Sequence, residues 1–376
     1  MNCFGSDAFT GAPVEIHLGE TIETVRPARD AGDLWVAPGF VDIQVNGFVG
    51  VDYNSPLTHC EDIARSLDAL FASGVTRFFP TVITGSPEAM IGALRNLAHS
   101  RAQLPGGMAM EGFHVEGPHI SAEDGPRGAH PREWVRPPSL DEFHRWQQAA
   151  GGLVRMVTVA AEWRDAPRYI EAIVDEGVVA AIGHTAASTA QIEDAVSAGA
   201  TVSTHLGNGA AGTIRRHPNF LWDQLADDRL MAGFIVDGIH LDANFLKVAF
   251  RAKGLERSIL VTDAATPAGA APGPYRFGEQ DIELTPDNRV VLAGTGKLAG
   301  SALRMDRGVE NLMRIAGLSL ADAVRLATVN PARAGRIEGR KRGIVPGDRA
   351  DLVQFRFDAG HIEVVRTWLA GREVFS

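Results

Sequence analysis

Two histidines, His184 and His205, each close a short β-branched and apolar run, VVAAIGHT (178–185) and ATVSTHLGN (200–208). Between them the apolar residues recur at helical spacing through Ile192 and Val196 and stop at Gly199. This reads as a strand–helix–strand unit with an imidazole where each strand leaves its sheet. In parallel α/β proteins the carboxyl ends of the strands are where ligands and chemistry collect. Further polar residues close other apolar runs: Gln44 and Asn46, Glu116, Glu162, Asp237 with His240, and Asp263. Each taken alone is as well explained by a local hydrogen bond or a turn cap. Glu116, His184 and His205 together make a two-histidine, one-carboxylate set suited to Zn²⁺ or Fe²⁺, with a coordination position left for water. That is the donor set of a hydrolytic metal, which acidifies water and polarises a carbonyl. Asp263 is then placed to take a proton from the water and return it to a leaving amine.

The elements that must carry these residues alternate in type. Strand-like runs fall at 40–47, 76–83, 112–118, 154–162, 178–184, 200–206, 231–240 and 258–264. Helical stripes lie between most of them, for instance 61–73 and 242–253, the latter with Asp242 as N-cap. Eight strands alternating with helices favour a (β/α)₈ TIM-type barrel over an open doubly wound sheet. Residues 275–296 read as a β-hairpin after the eighth strand, and 317–337 as a late helix stopped near Pro331. The two ends alternate as short strands, predicting a small β-sandwich domain from both termini (1–37 and 341–376) around a barrel domain at 38–340.

Composition narrows the function. The chain has 376 residues, 45% hydrophobic and 22% charged, which describes an ordinary globular enzyme-sized protein. Its formal net charge of −10 argues against a nucleic-acid surface while leaving room for a locally positive pocket. No apolar run is long enough to span a bilayer and no secretory leader pattern stands at the start, so a cytoplasmic location is expected, with no membrane partner. Cys3 and Cys60 lack metal-type spacing.

Seven segments carry a resemblance: APGFVDIQVNG (37–47), FHVEGPHIS (113–121), GHT (183–185), STHLGN (203–208), DGIHLD (237–242), LVTDAATPAG (260–269) and LAGSAL (298–303). In order and spacing the chain resembles the amidohydrolase superfamily and, within it, the N-acetylglucosamine-6-phosphate deacetylase family. The resemblance runs from about Pro38 through NPAR (330–333) to PGDRADLV (346–353). It implies a barrel with a small β domain, a metal on Glu116, His184 and His205, and Asp263 as general acid/base. It further implies that His130 positions the N-acetyl group. Arg216 and His240 would face the phosphate with backbone N–H groups near Asn208 and Gly209. A homodimer with its interface near the phosphate site is also implied.

Two departures qualify this. Where many amidohydrolases have His-x-His, this chain has Gln44-Val45-Asn46, and neutral amides are poor ligands, so one divalent metal per chain, zinc or else iron, is expected. The loop LGNGAAGTI (206–214) lacks the aromatic and Asn-Ala-Met common to the resembling family, which leaves the sugar open. The first reading is hydrolysis of the N-acetyl amide of N-acetylglucosamine 6-phosphate to glucosamine 6-phosphate and acetate. The alternatives are the same chemistry on an unphosphorylated amino sugar or other amide, and a non-catalytic sugar-phosphate sensor. GTGKLAG (294–300) lacks P-loop spacing and reads as a turn; GRKRG (339–343) reads as a solvated connector.

Overall fold

The computed structural model describes residues 1–340 and 342–376; Lys341, within the basic run 339–343 and at the expected domain boundary, lies outside the described residues. Eight parallel strands follow one another around a single sheet: Phe40–Val45, Val75–Ile83, Phe113–Glu116, Val154–Val159, Val179–Ile182, Val202–Ser203, Met231–Ile235 and Ser258–Val261. The first and last meet through the parallel bridge Val45↔Ala264 and the bond from Asn46 N to Ala264 O (2.7 Å), so the sheet closes on itself as a barrel. The strand-like runs of the sequence thus mark all eight barrel strands. Seven of the eight structured strands are shorter than their runs, mostly because the polar terminal residues have already left the sheet; Val75–Ile83 is one residue longer than its run.

Alternation along the strands sorts the core into two layers. In the fifth strand Val179 and Ala181 point into the barrel with Ile43, Phe79, Met156, Val202, Ile235 and Ile259. Ala180 and Ile182 point outward among the helices. Above the apolar interior lies a buried hydrogen-bonded row: His114 Nδ1 to Ile43 O (3.1 Å), His114 Nε2 to Thr158 Oγ1 (2.7 Å), and Thr158 Oγ1 to Thr204 Oγ1 (2.7 Å). Burial drives the His114 pKa down to about 4, so the row is neutral. It forms the polar floor of the site.

The outer helices begin on capping side chains, as the sequence requires. Ser188 and Gln191 form a capping box for Thr189–Ser197, and the Asp242 carboxylate accepts from Asn244 N and Phe245 N ahead of Ala243–Lys253. The late helix is two helices, Leu320–Ala327 and Val329–Ala334, broken at Thr328 (φ −134°, ψ −76°). Pro331 sits in the first turn of the second, where its missing N–H has no intrahelical role, so it does not stop a helix there. The expected hairpin is a three-stranded meander, Gly273–Phe277, Gln280–Leu284 and Val290–Leu292.

Both termini join in one seven-stranded sheet, in the order 372–375, 361–369, 352–358, 34–38, 2–7, 13–18, 22–27. It packs its own apolar cluster, which includes Ile16, Val36, Leu352 and Trp368. A buried ion cluster ties it to the barrel: Arg77 Nε contacts Asp351 Oδ2 at 2.5 Å, and Arg349 Nε contacts the same oxygen at 2.8 Å.

Candidate active site

At three strand ends the backbone takes a conformation that side-chain-bearing residues rarely adopt. His184 (φ 49°), His205 (φ 27°) and Asp263 (φ 49°) all have positive φ. Such strain persists where the surrounding structure over-determines it, and here it turns three functional side chains over the barrel mouth. Packing enforces the same positions. A Cβ on Gly183 would lie 2.8 Å from both Thr158 Cγ2 and Thr204 Cβ, so the residue before His184 must be glycine for the strand to sit on the polar floor. Gly209 (φ 55°) brings its backbone so close that a Cβ would lie 2.5 Å from His184 Nδ1. The glycine that departs from the resembling family therefore forms part of the histidine's cradle.

The expected ligands converge. His205 Nε2 lies 2.8 Å from Glu116 Oε1, His184 Nε2 lies 3.3 Å from the same oxygen, and the two Nε2 atoms are 3.1 Å apart. All three residues are buried. A tetrahedral Zn²⁺ with bonds of about 2.0–2.1 Å spaces its ligand atoms by roughly 3.3 Å, so these separations fit. The donor chemistry fits as well. His184 Nδ1–H donates to Pro126 O (2.8 Å), which leaves its Nε2 lone pair facing the other two ligands. His130 stands next to the set: Glu116, His130 and His184 offer ligand atoms that all lie within 4.8 Å of one another. His130 packs its ring on His184 (centroids 4.4 Å) and bonds Thr84 Oγ1 through Nδ1 (2.8 Å). The closer spacing, shared Nε2 geometry and strand-end placement favour His205 over His130 as the third ligand.

Electrostatics follow from the crowding. Burial opposes ionisation of Glu116, but hydrogen bonds from His184 and His205 and their charge hold it well below the usual carboxylate range. Burial lowers His205, and the hydrogen bond and charge of Glu116 override it, raising the pKa to about 9. A bound cation would displace that proton. His130 is driven down to about 3 by burial and by His184, so it is neutral. Asp263 is pushed up to about 6 by burial and then by Glu116. A carboxylate poised near neutrality is suited to take and return a proton.

Gln44 and Asn46 hold Asp263 in place. Gln44 Nε2 donates to Glu116 Oε1 and to Asp263 Oδ1, both at 3.0 Å, and Asn46 Nδ2 donates to Asp263 Oδ1 at 2.8 Å. The sequence showed these amides only as poor ligands; the carboxylate they orient comes from the far end of the barrel and leaves no local signal. Thr84 and the Pro126 carbonyl were likewise missed. Ser301 accounts for the LAGSAL segment: its N–H donates to Asp263 O (2.8 Å) and its hydroxyl to Thr262 O (2.5 Å), fixing the eighth strand's exit. Glu162 is structural, accepting from Thr185 Oγ1 (2.5 Å) and Ala186 N (3.1 Å).

One cavity of about 280 Å³ is lined by Glu116, His130, His184, His205, Asn208, Gly209, His240 and Asp263. His240 Nδ1 is held by Asp237 Oδ2 at 2.6 Å. The Asn208 N–H is already bound to His205 O (3.0 Å), whereas the Gly209 N–H has no partner among the described residues. Arg216 is not brought to this cavity; it lies on an exposed loop with its carbonyl bound by Asn219 Nδ2 (3.2 Å). Among the described residues no helix is long and apolar enough to cross a membrane.

A closed parallel barrel bearing a Glu/His/His cluster and a further buried carboxylate, Asp263, at its carboxyl-terminal mouth defines a class, and residues 35–374 match the model of that class: the chain belongs to the amidohydrolase family. Within that family it is similar to the N-acetylglucosamine-6-phosphate deacetylase of Bacillus subtilis, 34% identical over 366 residues (94% of this chain, 90% of the relative). The enzyme of the same name from Bos taurus is 35% identical over 361 residues, covering 92% and 85% of the two chains. Among solved structures, a mutant N-acetyl-D-glucosamine-6-phosphate deacetylase from Mycobacterium smegmatis, in complex with N-acetyl-D-glucosamine-6-phosphate, superposes with a TM-score of 0.90. It is 31% identical, and the match covers 100% of this chain and 99% of that one.

Proposed function

We propose that this chain hydrolyses the N-acetyl amide of N-acetylglucosamine 6-phosphate, giving glucosamine 6-phosphate and acetate. The observation that carries the reading is the gathering of Glu116, His184, His205 and Asp263 into one cavity, in a chain whose relatives bear that activity in their names. Glu116, His184 and His205 would hold one divalent metal, zinc by preference, since two imidazoles and a carboxylate suit it. Such an ion supplies Lewis acidity toward water and a carbonyl oxygen.

The chain's own groups do the rest. Asp263, ionised and held at Oδ1 by Asn46 and Gln44, has Oδ2 free to take the proton of the attacking water and pass it to the departing amine nitrogen. His130 is neutral; in the tautomer whose Nδ1 accepts from the Thr84 hydroxyl, its Nε2–H is available to the amide oxygen as negative charge develops there. His240, oriented by Asp237, and the free Gly209 N–H are donors for the phosphate. Arg216 joins them if its loop closes on the bound sugar phosphate; a loss in Arg216→Ala confined to phosphorylated substrates would establish that.

The same reading places the protein in the cytoplasm as a homodimer. Exposed Ile214, Trp222 and Val248, on the loop and helices beside the proposed phosphate end, supply apolar surface for a second copy. Acetate release from phosphorylated and unphosphorylated N-acetylhexosamines, with metal analysis of the same sample, tests the function. Release from the phosphorylated sugar supports it, and tight sugar-phosphate binding without release from metal-loaded protein would favour a sensor instead.

A further inference from the structure

The polar groups of the active cavity face an apolar wall. Ile83, Ala129, Phe277 and Ala299 line the cavity and pack as one cluster with Ala265 and Ile282 behind them. Ile83 closes the second barrel strand. On that strand Val82 packs outward among the helices and Phe79 inward, so alternation turns Ile83 inward. Ile83 is also the register partner of Glu116 on the third strand, which sets the two side chains next to each other at the rim. Ala299 marks the other border. The residue after it, Gly300, approaches so closely that a Cβ there would lie 3.1 Å from Asp263 O. The wall thus runs from beside Glu116 to beside Asp263.

Hydrogen bonds hold this wall from behind. Ile83 N donates to Asn54 Oδ1 (2.7 Å), and Asn54 Nδ2 donates to Asn46 O and Thr81 O, both at 3.2 Å. Gly278 N, next to Phe277, donates to Asp52 Oδ2 (2.7 Å), while Asn54 N donates to Asp52 Oδ1 (2.8 Å). One short loop, 52–54, therefore fixes both the strand end that carries Ile83 and the meander turn beside Phe277. Ser86 N pins the same turn through Glu279 Oε2 (3.1 Å). Ile83, Phe277 and Ala299 are all buried, so the wall has little room to yield to added volume.

An amide substrate gives such a wall a purpose. Hydrolysis sets the acyl carbon among Glu116, His184, His205 and Asp263. A secondary amide is planar and trans, so the sugar on its nitrogen and the alkyl group on its carbonyl carbon leave in opposite directions. In the proposed function the sugar phosphate extends toward Gly209 and His240, which follow the sixth and seventh strands. The second strand, which carries Ile83, lies across the eight-stranded barrel from the sixth. The alkyl end therefore meets the apolar wall. We propose that Ile83, Phe277 and Ala299 seat the acyl methyl group and restrict the enzyme to short acyl chains. This rests on the proposed deacetylase function and adds to it the residues that set acyl-chain specificity.

The test compares metal-loaded wild type with Ile83→Val, Ile83→Ala and Phe277→Ala on the N-acetyl, N-propionyl and N-butyryl forms of glucosamine 6-phosphate, with thermal melts of each variant. In wild type, kcat/KM is expected to fall roughly tenfold or more for each added methylene, as fits a pocket that cannot give way. Ile83→Ala and Phe277→Ala should raise the butyryl-to-acetyl ratio of kcat/KM by roughly tenfold or more, with some loss on the acetyl substrate itself. Ile83→Val, the mildest change to the core, should move the propionyl-to-acetyl ratio in the same direction by a smaller factor. A variant that only loosens the fold would lower all three substrates in proportion and leave these ratios unmoved. If wild type cleaves the acetyl and butyryl substrates equally well, or if the folded variants keep the wild-type ratios within twofold, the acyl assignment is overturned while the function stands. If wild type releases no acid from any of the three, the function itself fails and this proposal falls with it.

Discussion

Asn46→Leu tests how the acid/base carboxylate is controlled. Asp263 Oδ1 accepts from Asn46 Nδ2 at 2.8 Å and from Gln44 Nε2 at 3.0 Å. Burial and then the neighbouring Glu116 raise the Asp263 pKa to about 6, and the amide donors work against that rise. Leucine keeps the volume, removes one donor and leaves the other; it also deletes Asn46 Oδ1, which is buried without a partner. A hydrogen bond to a charged group contributes about 1.5–3 kcal/mol. Since ~1.4 kcal/mol corresponds to one pKa unit, the carboxyl should rise by about 1–2 units. A general base acts when ionised, so the acidic limb of kcat/KM for acetate release should move up by that amount. Activity at neutral pH should fall, while the plateau at higher pH stays within a few-fold of wild type. The assay is the pH profile of metal-loaded wild type and variant, with thermal melts to confirm equal folding. An unmoved limb, or a uniform fall at every pH, would refute the idea that Asn46 acts through the charge on Asp263.

Two further outcomes are expected. Thr84→Val removes the hydroxyl 2.8 Å from His130 Nδ1 and frees the imidazole tautomer; kcat should fall about 10- to 100-fold with little change in KM, and Thr84→Ser should restore most of it. Retained kcat in the valine variant would mean that His130 needs no such orientation. His205→Ala removes one of three converging ligands, so metal content measured by elemental analysis should drop well below one ion per chain, and the stabilisation that metal gives wild type in thermal melts should vanish. Full metal content in that variant would point instead to the neighbouring His130 as the ligand.

Much of this was legible in the sequence because the barrel writes its period into the chain. Eight apolar runs broken by helical stripes mark eight strands, and polar residues closing those runs stand at the mouth because a strand's last side chain must face either the core or the site. That His184, His205, Glu116 and Asp263 stand at strand ends could be read from type and position, and the structure gathers them around one cavity. What the sequence hid was the set of contacts between chain segments with no common pattern. Gln44 meets Asp263 across 219 positions, Thr84 meets His130 across 46, and His184 is oriented by a backbone carbonyl that no side chain announces. The break at Thr328 was concealed by the proline that follows, whose place in a first helical turn resembles a stop. Arg216 shows the opposite limit: its residue type suits phosphate, yet its loop lies exposed, outside the cavity lining.

The central claim is that Asp263 moves the proton in a metal-dependent deacetylation at this cavity. Its most direct test is Asp263→Asn, measured for acetate release from N-acetylglucosamine 6-phosphate and for bound metal in the same sample. The account predicts wild-type metal content with turnover reduced to near background. Substantial acetate release by the metal-loaded variant would contradict it.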